Sequence, residues 1–248
     1  MDTLDWTKGA VRADTVRLYC LPFAGGSATV YRDWGAILGS RYPVVPVDLP
    51  GHGRRVREPL CGSLDALAEL LVTELSEEMG SGSYAIFGHS LGGLLAFQMG
   101  HELARRRLPL PVRLFISAAR SPAEPHPCLL HELSDAALVD ALIRLAGDVP
   151  SIDGHRELIE FMLPVLRADL RLSETWPGPS APPLRVPVSL LSGANDWLAP
   201  PAQVASWRRY FDSEVAVHSY PGGHFYLGTE STALLRDIGR ALSRVAGE

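Results

Sequence analysis

Tyr84-Ala85-Ile86-Phe87-Gly88-His89-Ser90-Leu91-Gly92-Gly93 is the stretch on which the reading of this chain turns. Its opening residues form a near-continuous apolar run, suited to a strand buried on both faces. From Leu91 onward, Leu94, Leu95, Phe97 and Met99 lie nearly all round a helix, as in one packed centrally on a sheet. Between the two sits Gly88-x-Ser90-x-Gly92. A serine on a tight strand-to-helix turn is a nucleophile elbow: the turn strains the serine, and glycines let the backbone approach closely.

The chain on either side keeps the same alternation. Strands are predicted at 15–21, 43–47, 84–87, 112–117, 187–191 and 214–219, with helices at 63–79, 90–107, 201–211 and 231–246. Ser63 and Ser231 stand where helix caps are expected. Strands alternating with helices specify a parallel sheet with crossover helices. One stretch breaks the rhythm, because 121–185 is too long for a simple crossover. Within it, 134–146 and 154–175 carry apolar residues at helical spacing, including Leu138, Leu142 and Leu145, then Phe161, Met162, Val165 and Leu166. Runs rich in Pro and Gly, Ser121 to Pro127 and Pro177 to Pro183, flank it on both sides. The expected organisation is therefore a core of 1–120 and 186–248 with a helical lid insertion at 121–185.

Composition excludes several classes. At 248 residues, 46% hydrophobic and 21% charged, the chain has ordinary globular usage and room for one α/β domain with an insertion. A net charge of −5 disfavours a protein that neutralises nucleic-acid phosphates. No apolar run reaches the roughly 18 residues of a membrane span. The acidic start Met1-Asp2-Thr3-Leu4-Asp5 does not read as a signal peptide, so a cytoplasmic protein is expected. Cys20, Cys61 and Cys128 are an odd set without CxxC spacing, which argues against disulfides and a zinc site. Lys8 is the only lysine; the other basic residues are arginines. The Arg105-Arg106-Arg107 end of the helix suits its negative dipole end.

A serine hydroxyl needs a base, and the base an orienting acid. An elbow fold expects the order serine, acid, histidine. Leu190-Leu191-Ser192-Gly193 runs into Ala194-Asn195-Asp196, which sets Asp196 in a loop after a strand. Tyr220-Pro221-Gly222-Gly223-His224 does the same for His224. Asp212 and Asp48 are fallback acids. Other histidines fail as the base on position: His52 precedes the serine, His89 lies in the elbow, His101 on a helix, His126, His131 and His155 in the insertion, and His218 in mid-strand. Two backbone amides are needed for the oxyanion. Leu91 follows from the elbow; the second belongs to Pro22-Phe23-Ala24-Gly25-Gly26-Ser27, with Ala24 favoured and Phe23 and Gly25 as neighbours.

These residues resemble the α/β-hydrolase superfamily, and within it the type II, or editing, thioesterases that accompany polyketide and nonribosomal peptide synthetases. The resemblance rests on the segments beginning Leu21-Pro22-Phe23-Ala24-Gly25-Gly26-Ser27, Leu49-Pro50-Gly51-His52-Gly53-Arg54 and Gly88-His89-Ser90-Leu91-Gly92-Gly93. It rests also on Leu163-Pro164-Val165-Leu166-Arg167-Ala168-Asp169 and Pro221-Gly222-Gly223-His224-Phe225-Tyr226-Leu227. It implies a mostly parallel central sheet flanked by helices, a helical lid over an acyl pocket, Ser90, Asp196 and His224 as the triad, and Ala24 and Leu91 as oxyanion donors. It further implies hydrolysis of acyl groups from the phosphopantetheine arm of an acyl or peptidyl carrier protein. The scheme needs no metal or bound cofactor, since the substrate itself carries the phosphopantetheine. One position departs from the polyketide pattern, which often has arginine where His52 stands; His52 is read as a loop hydrogen-bonder. Arg54, Arg55 and Arg57, or Arg105 to Arg107, either meet an acidic carrier or form solvated faces. The alternatives are a carboxylesterase or lipase on free esters, a non-catalytic hydrolase-fold binding protein, and a terminal cyclase domain.

Overall fold

The computed structural model describes residues 15–146 and 156–245. His155, the start of the helix expected at 154 and the last residue of the one expected to reach 246 lie outside them. In chain order the strands are β1 (Arg17–Leu21), β2 (Val44–Pro46), β3 (Tyr84–His89), β4 (Leu114–Ser117), β5 (Val188–Gly193) and β6 (Val215–Tyr220). They form one sheet in the order β2-β1-β3-β4-β5-β6, with every neighbouring pair parallel.

Alternation along the strands divides the interior in two. Tyr19, Leu21, Ile86, Ile116, Val188 and Leu190 face one layer, where they meet α2 (Leu64–Gly80) and α3 (Leu91–Arg106). Leu18, Cys20, Ala85, Phe87, Phe115 and Leu191 face the other, against α1 (Trp34–Leu38) and α8 (Ser231–Val245). With both faces covered, the central strands are buried along their whole length, which explains their unbroken apolar runs. Ser63 caps α2, its Oγ accepting the Ala66 N–H at 3.1 Å.

The insertion is helical. Between β4 and β5 the chain forms α4 (Asp135–Ala146) and α5 (Arg156–Thr175), and Leu138, Val139, Leu163 and Leu170 make a small core of their own. Ala24 and Leu198, from loops beyond strands β1 and β5, pack against that core. The helix expected over 201–211 is split: α6 (Pro201–Ala205) passes into a 3-10 turn, Ser206–Tyr210. A one-turn helix, α7 (Tyr226–Thr229), follows β6 and was not expected from periodicity, nor was α1.

Strand order explains where a site can form. The chain leaves β1 for β2 at one edge, then crosses back to β3 on the other side of β1. At such a reversal the loops beyond the carboxyl ends of β1 and β3 part in opposite directions and leave a crevice. Those two loops hold Ala24 and Ser90. No described helix is long and apolar enough to cross a membrane.

Candidate active site

Ser90 sits at the turn from β3 to α3 with φ 54° and ψ −115°, a conformation that non-glycine residues rarely occupy. Its N–H donates to the Ser117 carbonyl at 2.8 Å, and its own carbonyl accepts from Gly93 and Leu94. The turn is tight enough that a Cβ on Gly88 would collide with the Gly92 carbonyl, and one on Gly92 with the Leu21 carbonyl. Those contacts explain both glycines of the motif. The strain is held by the strand on one side and the helix on the other.

Asp196 and His224 stand in the loops after β5 and β6. The loops are tied together by Ala194 N–H to the Tyr220 carbonyl at 2.7 Å and Asn195 N–H to the Gly222 carbonyl at 2.9 Å. Asp196 Oδ2 accepts from His224 Nδ1 at 2.8 Å, with both side chains almost wholly buried. Asp196 Oδ1 accepts the amides of Leu198 and Ala199 at 2.9 and 3.0 Å. Burial works against the carboxylate charge, but His224 and the two amides outweigh it and hold the Asp196 carboxyl below its ordinary pKa. A carboxylate facing Nδ1 fixes the hydrogen there and leaves Nε2 free to accept a proton. Ser90 and His224 line the same cavity, of about 40 Å³.

The fallback acids are elsewhere. Asp48 accepts the Ala28 amide at 2.8 Å and the Arg54 guanidinium at 2.9 Å, and Asp212 pairs with Arg185 at 3.4 Å. Among the other described histidines, His89 is fully buried and bonded through Nδ1 to Ser117 Oγ at 2.8 Å. Burial, and then the neighbouring His224, press its pKa well below the ordinary value. His101 packs edge-on against Phe97, and His218 lies in β6. His131 is bound to Glu174 at 2.5 Å.

Behind the elbow, Phe23 to Gly26 form a turn closed by Gly26 N–H to the Phe23 carbonyl at 2.8 Å, with Gly25 at φ 72°. The Gly25 N–H donates to Asp169 Oδ2 of α5 at 2.8 Å, so that amide is already committed. No hydrogen bond from the Ala24 or Leu91 N–H is found among the described residues. The Leu91 amide is the first of α3, where helical geometry leaves it without an intrahelical partner.

The insertion supplies cavity wall that position in the sequence did not reveal. Leu170, Ser173 and Glu174 of α5 line the space beside Ser90, together with Arg120 and His126 from the segment after β4. Arg120, Ser173, Glu174 and His126 also line an adjoining space of about 440 Å³ that reaches Trp176. Arg120 is buried, with Nη1 donating to the Pro125 carbonyl at 2.5 Å and Nη2 to that of Leu198. Burial lowers the pKa of both Arg120 and His126. Neither residue belongs to a sequence motif, and His126 lies in the insertion, away from the order serine, acid, histidine.

Four members of the two arginine clusters have partners within the chain. Arg54 pairs with Asp48, Arg55 with Glu58 and Glu74, and Arg105 and Arg106 with Glu102. No group of three or more metal-ligating side chains is found among the described residues.

A family model described as a thioesterase domain matches residues 16–242. The thioesterase PikA5 of Streptomyces venezuelae is 35% identical over 223 residues, covering 90% of this chain and 79% of that protein. A solved structure described as the RedJ thioesterase from the prodiginine biosynthetic pathway in Streptomyces coelicolor is 38% identical with a TM-score of 0.86, covering 93% of this chain and 88% of the other. The structure of BorB, described as the type II thioesterase from the borrelidin biosynthetic cluster, is 34% identical with a TM-score of 0.84 over 92% of this chain and 93% of its own.

Proposed function

The chain belongs to the thioesterase domain family and has the α/β-hydrolase fold, and from that premise we propose that it hydrolyses acyl groups from the phosphopantetheine arm of a carrier protein, as the editing enzyme of a polyketide or nonribosomal peptide synthetase. The observation that carries the reading is the buried Asp196–His224 pair, whose histidine shares a cavity with a strained Ser90. PikA5, RedJ and BorB support the biosynthetic setting. With that substrate goes a cytoplasmic location.

In the proposed reaction Ser90 Oγ attacks the thioester carbonyl while His224 Nε2 takes its proton, and Asp196 holds the resulting imidazolium. The Ala24 and Leu91 amides receive the oxyanion, where each donor is worth a factor of about 10² to 10³ in rate elsewhere. Collapse expels the thiol, which takes the proton back from His224. A water, deprotonated by the same nitrogen, then attacks the acyl-serine, and Ser90 leaves with that proton. The chemistry uses no metal and no cofactor beyond the arm carried by the substrate. Helices α4 and α5 act as the lid, Leu170 and Ser173 closing over the acyl group.

Carrier dependence separates this enzyme from a general esterase. The test compares kcat/KM for a propionyl carrier protein with that for p-nitrophenyl propionate. Preference for the carrier substrate is expected; faster turnover of the free ester with the carrier left acylated overturns the editing role.

A further inference from the structure

His52 and Asp169 make a contact that the proposed chemistry does not use. His52 is 4% exposed and follows the turn Pro50-Gly51. Its Nδ1 lies 2.9 Å from the Pro50 carbonyl oxygen and its Nε2 2.8 Å from Asp169 Oδ2. The Pro50 carbonyl oxygen only accepts, so Nδ1 carries a hydrogen, and a carboxylate facing Nε2 favours a second hydrogen there, the imidazolium form. The same Oδ2 also accepts the Gly25 N–H at 2.8 Å. One oxygen on α5 therefore holds a cation from the loop after β2 and the turn after β1. Gly25 is the residue after Ala24, and Leu170, the residue after Asp169, lines the cavity with Ser90.

We infer that the His52–Asp169 pair is a positioning latch: docking of α5 sets the Phe23 to Gly26 turn, and with it the Ala24 amide, at the oxyanion. The inference rests on the reading of Ser90 as nucleophile and Ala24 as donor. An oxyanion donor acts only in the transition state, so a displaced turn lowers kcat and leaves KM nearly unchanged. The charge matters as well as the contact. Around His52 stand Asp169 from α5 and Asp48 from the loop after β2, the latter already bonded to Arg54. Burial opposes the imidazolium, but Asp169, with the Pro50 carbonyl and Asp48, outweighs it and raises the His52 pKa. The latch is complete at low pH and loosens as pH rises through that raised value.

The test uses the full chain as wild type, His52→Gln, His52→Arg and Asp169→Asn, with kinetics on a soluble acyl thioester, fluorophosphonate labelling rates, and melting temperatures. His52→Gln and Asp169→Asn are expected to lose about 10- to 100-fold in kcat with KM within about twofold. His52→Arg, whose charge is permanent, regains most of that loss and lacks any alkaline fall in kcat seen in the wild type. Folded Gln and Asn variants with wild-type kcat reduce the pair to a structural contact and overturn the latch. If both fail to fold, the comparison of wild type with His52→Arg decides: an alkaline fall that persists in the arginine variant overturns it. A wild type inert to both probes removes the Ser90 reading and the latch with it, whereas loss of carrier preference alone leaves the latch standing.

Discussion

Asp196 uses its two oxygens for different ends. Oδ1 is pinned by the Leu198 and Ala199 amides, and Oδ2 faces His224 Nδ1. The carboxylate is thereby aimed, and it in turn fixes which imidazole nitrogen is free. Asp196→Asn keeps the shape but offers an N–H to Nδ1, moving the histidine proton to the side that faces the serine. Steady-state kinetics should show a fall in kcat of about 10⁴-fold with the fold intact; an undiminished kcat would sink the assignment of His224 as base. At this scale the sequence was informative wherever a residue stands beside its strand. Ser90, Asp196 and His224 each follow a β-run directly, so motif and chain order were enough to nominate them. Arg120 stands three residues beyond β4 but in no motif, while His126 and Glu174 reach the cavity only through folding of the insertion, and nothing local distinguishes them from surface polar residues. The commitment of the Gly25 amide was equally hidden, since its acceptor lies 144 positions away.

Helices and strands were legible where one periodicity governs many residues, and less so where a few side chains decide. The strand expected to end at Phe87 runs on to His89 because Gly88 and His89 pair with Ile116 and Ser117. Long helices α2, α3 and α8 match their patterns to within about two residues, while α1 and α7, at five and four residues, are too short to show any period. The split of 201–211 has a tertiary cause. Trp207 is fully buried and donates Nε1–H to the Ala119 carbonyl at 2.9 Å, and Ser206 Oγ meets Ser121 Oγ at 2.7 Å. These anchors draw the chain into the tighter 3-10 path. The cap of α2 makes a simple test of local energetics: Ser63→Ala removes the acceptor for the Ala66 amide and should cost about 1 kcal/mol in urea denaturation. Activity should stay at the wild-type level, because Ser63 lines neither the cavity beside Ser90 nor the space adjoining it. Unchanged stability would show that the Ala66 amide gains as much from water.

Across the whole molecule, the order β2-β1-β3-β4-β5-β6 converts short motifs into a site by opening a crevice at the chain reversal and bringing four loops to one sheet edge. Parallel pairing and helical layers were legible from alternation; the strand order was not, because adjacency across a sheet leaves no mark on a single strand. Stability of the whole carries a signature in its histidines. Burial holds His101 down to about 4 and keeps His89 and His126 below the ordinary imidazole value. Below pH of about 6.5 the unfolded chain binds protons that the folded one refuses, so stability falls as pH drops toward about 4. His101→Gln should flatten that fall between pH values of about 7 and 5 in urea titrations; an identical slope would mean that His101 takes up its proton as readily in the folded chain as in the unfolded one. The central claim is that Ser90 carries the acyl group between carrier and water. The most direct measurement is intact-protein mass spectrometry of an acyl carrier protein incubated with wild type and with Ser90→Ala, quenched in acid, with the transient adduct on the enzyme mapped to a peptide. The account requires loss of the acyl mass from the carrier with wild type, an acyl adduct on the Ser90 peptide, and neither with Ser90→Ala, whose turnover should drop on the order of 10⁶-fold. A carrier that keeps its acyl group, or an adduct on any other residue, would contradict it.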